Sequence, residues 1–386
     1  MRRRRKTSTK EKIIKSARKL FSEKWYDTVS VAEICRNARV SNGVYYNYFR
    51  DKKTLFEFFL NELIEKMEVE LSQISGNSKK DKISSFIDIV FKLSAKDTEL
   101  VTIFREGQYK FPEYEKKLKN IYINTLSNIL ERDISDVEYI FIVGGLRFLS
   151  VMAAYNWFNI NKESFKDIVF NGIFDERINR KERIFNVKFI NERSKKLDSK
   201  ERIVEAGIEL FGTYGFHNVN VYDITKLAGF AVGTFYIYFD SKETFLREIV
   251  RNISHETRKF ISRNLSVSLN RLEQELQGTY LFLKFFERNK NYYEIVRESE
   301  FVAKEEVIKY YDAFRKGYLK NLSSVKLEDK ETIALTLMGI SHFIGIEYLF
   351  HQSILDINNF LIELSHYLEN GLKLEGDLNV LVQEKE

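Results

Sequence analysis

The chain has 386 residues, a formal net charge of +6, a hydrophobic content of 44% and an aromatic content of 14%, with one Pro, one Cys and 17 Gly. That length holds two or three domains with sizeable cores, and so few Pro and Gly exclude an all-β or loop-rich fold. A single Cys excludes an intrachain disulfide framework and suits a reducing cytoplasm. No uninterrupted apolar run has membrane-spanning length, so no membrane partner is expected.

In chain order, the basic start Met1 to Lys6 has no apolar signal-peptide core behind it. Arg3, Arg4 and Arg5 read as a solvated tail, or as a phosphate or minor-groove arm where a helix-turn-helix follows. A first helix is expected over 9–24, where Ile13, Ile14, Ala17, Leu20 and Phe21 form one stripe and Lys12, Lys15, Arg18 and Lys19 lie off it. Ser30 then caps a second helix, with Glu33 placed for a capping box. Its apolar face is Val31, Ile34, Cys35 and Ala38, so Cys35 reads as a small core residue. A turn at 39–41 leads to a third helix capped by Ser41. Two short helices joined this way form a helix-turn-helix, which sets its second helix into a DNA major groove. Asp51 caps a fourth helix running through Leu55, Phe58, Phe59, Leu63 and Met67.

After a break at 76–80, helices are expected over 81–95, 97–108, 113–131, 137–160 and 162–179, with Pro112 at a helix start. The stretch 137–158 is apolar nearly all round and holds Gly144 and Gly145, so it must be buried in a bundle or against a partner. Residues 179–197 read as a charged linker. Within it 184–190 alternates like a strand, and 378–383 resembles it, which allows a two-stranded pairing.

The plan then repeats at a constant offset of 190, without a gap from Lys10/Lys200 to Thr54/Thr244. Leu20/Leu210, Val29/Val219, Ile34/Ile224, Ala38/Ala228, Gly43/Gly233, Tyr46/Tyr236, Tyr48/Tyr238 and Lys52/Lys242 are identical pairs. Helices are expected over 199–214, 221–228 with Asn220 as cap, a fourth capped by Ser241, then 268–287, 290–300, 304–321, 329–351 and 355–372. The distal halves echo one another too. Phe104-Arg-Glu-Gly-Gln-Tyr109 resembles Val296-Arg-Glu-Ser-Glu-Phe301, and Gly145 and Phe148 have counterparts in Gly339 and Phe343. The fold class is therefore all-α, in two similar units.

Leu20-Phe21, Val29-x-Val31-x-x-Ile34 and Gly43-x-x-Tyr46-x-Tyr48-Phe49-x-x-Lys52, with the same set ending Gly233-Thr-Phe-Tyr-Ile-Tyr-Phe239-Asp-Ser-Lys242, resemble the DNA-binding head of TetR-type transcriptional regulators. The resemblance implies three helices for DNA and six for ligand binding and dimerisation in each unit. The domains it suggests are 7–67 and 197–257 for DNA, 68–180 and 258–386 for ligand and dimerisation, and 181–196 as linker. It also implies a homodimer formed through the last two long helices. Here two units share one polypeptide, so an intramolecular pseudo-dimer through 137–179 and 329–372 is the simplest outcome; a homodimer of tandem chains with four heads is the alternative.

Carried over from the family, Asn42, Val44 and Asn47 face bases in the first head, and Ser30, Ser41, Tyr46, Tyr48 and Lys52 position it. In the second head Val232, Thr234 and Ile237 face bases, with Asn220, Ala231, Tyr236, Tyr238 and Lys242 as positioning residues. Gly43 and Gly233 allow close backbone approach. The plainer reading of the tyrosines is core packing. The heads differ in charge: residues 1–55 hold 16 Lys/Arg against 5 Asp/Glu (+11), whereas 195–245 hold 6 against 7 (−1). Phosphate neutralisation supplies much DNA affinity, so the first head is expected to dominate electrostatically.

An apolar effector pocket is implied for the distal bundles. Its candidate residues are Tyr109, Phe111, Tyr155, Trp157 and Phe158, then Phe301, His342, Phe343, Tyr348 and Phe350; an aromatic stripe is more often core. The histidines show no metal-ligand spacing, and no phosphate loop, nucleophile elbow or His-Glu metal motif marks an enzyme. No metal, cofactor or catalytic residue is expected. The function expected is a ligand-responsive DNA-binding transcriptional regulator, a repressor reading two unlike half-sites of double-stranded DNA and released by a small apolar effector. Its rival is a small-molecule sensor whose second head is only a scaffold.

Overall fold

The computed structural model describes residues 8–189, 197–322 and 325–374. Its helices, in chain order, begin with α1 (Thr9–Glu23), α2 (Val31–Ala38), α3 (Asn42–Tyr46), α4 (Lys52–Leu71), α5 (Lys79–Lys96), α6 (Thr98–Lys110) and α7 (Pro112–Leu130). Then come α8 (Asp136–Tyr139), a π-helical segment Ile140–Gly144 and α9 (Gly145–Ala154), followed by α10 (Lys162–Asn171) and α11 (Lys181–Phe185). The second half holds α12 (Ser199–Tyr214), α13 (Val221–Ala228), α14 (Val232–Tyr238), α15 (Lys242–Asn264), α16 (Arg271–Arg288), α17 (Lys290–Val302), α18 (Lys304–Asn321), α19 (Lys330–Gly345), a π-helical segment Ile346–His351 and α20 (Ile357–Asn370). Among the described residues there is no strand. Ile184 and Phe185, expected in a strand, lie in α11, and 378–383 falls outside the described residues.

The chain forms two compact units. The first comprises the residues up to 134 together with 150–158; the second comprises 135–149 and everything from 159 onward. The boundary thus passes through α9 rather than between the sequence repeats.

In the first unit α1 packs on α2, α4 and α6. Ile13, Ala17, Leu20 and Phe21 are buried, as the stripe requires, and Phe21 meets Phe56 edge to face at 5.0 Å. Ser16 donates to the Ile34 carbonyl at 2.8 Å, which ties α1 to α2 without leaving a buried hydroxyl unpaired. Ser30 caps α2 as expected, accepting from Glu33 N at 3.1 Å, but the reciprocal half of the box is absent: Glu33 pairs with Lys24 at 2.5 Å instead. Asp97 caps α6 and also joins Lys66 at 2.9 Å and Arg18, knitting α1, α4 and α6 together. Burial alone would raise the Asp97 pKa; the bonds from Arg18 and Lys66 outweigh it and hold the carboxyl below its ordinary value.

In the second unit the head repeats this scheme with a compensated exchange of volume. Gly207 stands where the first head has Ala17, and Phe245 where it has Leu55. A Cβ on Gly207 would lie 2.3 Å from the Phe245 ring, so the larger ring requires the missing methyl. The segment 179–189, expected as a bare linker, is instead docked on α16. Glu273 accepts from Asn179 N at 2.7 Å and Arg180 N at 2.6 Å, and Gln277 donates to the Ile184 carbonyl at 3.0 Å.

The same unit pairs the last helices of the two repeats. The 135–149 stretch and α10 pack against α19 and α20, and the contacts are reciprocal. A Cβ on Gly144 would meet Phe343 Cβ at 3.2 Å, and one on Gly339 would meet Phe148 Cβ at 2.6 Å. The counterpart of Gly339 is thus Gly144, not Gly145. Ile173 N donates to the Leu368 carbonyl at 2.6 Å, and Leu372 N donates to the Val169 carbonyl at 2.8 Å. Gly172 (φ +73°) and Gly371 (φ +64°) end α10 and α20 so tightly that a Cβ on either would meet the other helix's backbone within 2.6 Å. Gly172 also explains why the helix expected to reach 179 stops at 171.

By length and composition two stretches, Asp136–Ala154 and Lys330–His351, are apolar enough to cross a membrane, although charged residues interrupt both; 83% of the most apolar window of each is buried in the protein. Neither shows the narrow stripe of a surface helix, and burial within a bundle is the other outcome such a pattern permits.

Candidate nucleic-acid interface

Each short recognition helix is held from behind by one ring and presents everything else. Tyr45 and Phe235 are fully buried, and Phe49 and Phe239 close the far end. Tyr45 also donates to the Asp51 carbonyl at 2.9 Å, fixing the start of α4. The turn before the helix needs a left-handed residue. Gly229 meets that need without strain (φ +76°), whereas Arg39 adopts it at φ +57°. Ser41 caps α3 through Val44 N at 3.4 Å; Ala231 has no side-chain oxygen to do the same for α14.

The exposed set has the same pattern in both heads. Asn42, Gly43, Tyr46, Asn47 and Tyr48 face solvent, as do Val232, Gly233, Tyr236, Ile237 and Tyr238, while Val44 and Thr234 are half-buried. Tyr46 and Tyr236 are 58% and 55% exposed, so core packing is not their role. Ile237 is 75% exposed, an unusual position for a β-branched aliphatic side chain. A Cβ on Gly43 or Gly233 would meet no atom within 4 Å. Neither glycine has positive φ. Nothing among the described residues therefore requires glycine at either site, although both lie in helices that glycine weakens.

Other expected contacts have different places. Ser30 and Asn220 are occupied as caps, and Asn220 forms a full box with Asp223. Arg3, Arg4 and Arg5 lie outside the described residues. Lys52 and Lys242, expected on phosphates, turn inward. Lys52 Nζ donates to the Tyr26 carbonyl at 2.8 Å, and Lys242 Nζ donates to the Phe216 and Val219 carbonyls at 2.8 Å each. Burial lowers the pKa of both ammonium groups. Two buried carboxylates that the sequence reading passed over, Glu106 and Glu298, hold the amides of the same two aromatic residues.

Residues 13–57 and 203–249 each match the model of the bacterial regulatory proteins of the tetR family. The chain resembles the TetR family through both of its heads. It carries two TetR-type heads in tandem and is all-α, as the repeat implied. It is 37% identical over 67 residues to an uncharacterised helix-turn-helix regulator, YdgC, of Bacillus subtilis, covering 17% of this chain and 34% of that protein. It is 29% identical over 134 residues to the fatty acid metabolism regulator protein of the same organism, covering 33% and 68%. The chain thus spans about a third of the length of YdgC. A TetR-family structure from Syntrophomonas wolfei aligns at 20% identity over 46% of this chain and 98% of that one, with a TM-score of 0.41. These relatives are regulators rather than enzymes.

The aromatic candidates for an effector site divide. Phe111 packs at the joint of head and body, 5.9 Å from the Tyr26 ring and 5.8 Å from that of Phe56, and Phe343 lies under Arg147 at 4.9 Å. Both make packing contacts. Tyr155 shares a hydrogen bond with Thr102 at 2.7 Å and packs on Trp157, while Tyr109 and Phe158 are half-buried. His342 and Phe350 gather around Tyr293, which the sequence did not single out: His342 Nδ1 lies 2.7 Å from the Tyr293 hydroxyl, and Phe350 is 5.0 Å from its ring. Tyr348 lies apart from that cluster, between Lys284 and Glu287, and Phe301 is half-buried. A cleft of about 420 Å³ in the first unit is lined by Leu71, Ile74, Ile121, Ile129, Glu68 and Lys82 among others, and by none of these aromatics.

Proposed function

We propose that this TetR-family chain is a cytoplasmic DNA-binding transcriptional repressor that works as an intramolecular pseudo-dimer and reads a double-stranded operator with two unlike half-sites. The reading is carried by the two recognition helices. They expose matching positions, keep glycine where no described neighbour demands it, and differ in chemistry: Asn42 and Asn47 against Val232 and Ile237. Amides pair with adenine edges, and apolar groups meet thymine methyls. Pseudo-dimerisation is supported by the reciprocal Gly144–Phe343 and Gly339–Phe148 contacts, the signature of an isologous interface. Domains 7–67 and 197–257 then serve DNA, with 68–180 and 258–386 serving effector binding and pairing. A small apolar effector releases the DNA; the His342–Phe350 cluster and the resemblance to a fatty acid metabolism regulator support an acyl-like molecule.

A second reading has its own support. The −1 charge of the second head and its apolar face fit a scaffold that no longer reads sequence. Selection of sites from random duplex DNA with the full-length protein separates the two. Two unlike half-sites are the expected result. A lone half-site would mean the second head is silent, a symmetric site would mean like heads pair between chains, and no enrichment would overturn the DNA-binding reading.

A further inference from the structure

The aromatic turn after the first helix of each head is held from both sides by the same pair of groups. In the first unit Tyr26 N–H donates to Glu106 Oε1 at 2.6 Å, and the Tyr26 carbonyl accepts from Lys52 Nζ, which stands 4.1 Å from the centre of the Tyr26 ring. In the second unit Phe216 N–H donates to Glu298 Oε2 at 2.8 Å, and the Phe216 carbonyl accepts from Lys242 Nζ, 4.2 Å from the Phe216 ring centre. Glu106 and Glu298 are 2% and 6% exposed. A carboxylate buried this deeply is costly unless bonded, and a charge-assisted bond to a backbone amide is among the stronger ways to hold it.

The placement of the two groups is what gives the arrangement consequence. The lysines open α4 and α15, immediately after the recognition helices. The carboxylates project from α6 and α17, which belong to the distal bundles rather than to the heads. Each turn is therefore a joint at which a distal helix grips its own head. The two clamps are not identical. Lys110, whose ammonium stands 5.0 Å from the Tyr26 ring centre and pairs with Asp27, adds a further link in the first unit. Val302 occupies the corresponding place in the second.

We propose that Glu106 and Glu298 are positioning residues, each setting the recognition helix of its own head for DNA through the Tyr26 or Phe216 amide, independently of the other head. This rests on the DNA-binding reading above. Hydrogen–deuterium exchange on the full-length chain tests the clamp without DNA. In Glu106→Ala, amides of 26–49 should exchange at least about tenfold faster while 216–239 stay unchanged, and Glu298→Ala should do the reverse. On the duplex that wild type enriches from a random pool, each variant should lose its footprint over one half-site and bind about tenfold more weakly. Glu106→Gln and Glu298→Gln keep an acceptor, are the safer variants for folding, and should restore both readouts. Unchanged exchange in the matching head, equal loosening of both heads, glutamine behaving as alanine, or loosened heads with full affinity would each overturn the proposal. Head-specific loosening with no duplex enriched by wild type would uphold the clamp and refute the DNA-binding reading instead.

Discussion

Replacing Gly43 and Gly233 by alanine separates what the fold wants from what DNA wants. Both residues sit at the second position of a recognition helix, with helical backbone and no atom within 4 Å of an added Cβ. The new methyl meets no clash and removes glycine's backbone freedom from the unfolded chain. The gain is about 0.4–1 kcal/mol per site. Neither site shares a neighbour with the other, so the double variant should gain about 1–2 kcal/mol. That raises the unfolding temperature by roughly 2–4 °C per kcal/mol. Calorimetry reads this gain, and titration of the enriched duplex reads the cost. The methyl stands where backbone must approach DNA, so affinity should fall as stability rises. Increased stability with unchanged affinity would refute the close-approach role of the glycines. A loss of stability would refute the reading of the local geometry.

Packing in the second unit makes a contrasting prediction. Gly339→Ala places its Cβ 2.6 Å from Phe148 Cβ and should cost about 1–3 kcal/mol, whereas Gly278→Ala and Gly317→Ala, helical and with open space around them, should gain about 0.4–1 kcal/mol each; chemical denaturation checks all three. Asp97 has a depressed folded pKa, so its contribution is present above its unfolded pKa of about 3.9 and is lost as pH falls through the lower folded value; stability of Asp97→Asn measured against pH should therefore lack that acid-side loss and be lower at neutral pH. Replacing thymine by uracil in the half-site read by the second head should weaken binding by roughly fourfold for each contacted methyl, at about 0.8 kcal/mol each, and leave the other half-site unaffected.

Local chemistry made most helix starts legible. Ser30, Ser41, Asp51, Asn220 and Ser241 all cap the helices they were expected to cap, because a side-chain oxygen bonding an unpaired amide is decided within four residues. The duplicated head was legible for the same reason, since its pattern is contiguous. What depended on distant neighbours was not. The π-helical segments 140–144 and 346–351 lie in apolar stretches with no stripe to read. The inward turn of Lys52 and Lys242 depends on carbonyls 26 and 23 residues away. The partners of Phe111, Tyr26 and Phe56, were not legible because a ring's partner cannot be read from its own position. Glu106 and Glu298 left a trace in the echo of Phe104–Tyr109 by Val296–Phe301, but nothing in the sequence said that the echoed carboxylate faces an amide in the head.

The reciprocal bonds between Val169, Ile173, Leu368 and Leu372 are made within one polypeptide. In the proposed pseudo-dimer, pairing of those helices needs no second-order encounter, so dilution cannot dissolve it. Exchange of these helices with a second chain is likewise closed while they are so engaged. Each side of the seam is also encoded separately. A substitution changes one of the two equivalent positions rather than both, so the halves are free to diverge one residue at a time.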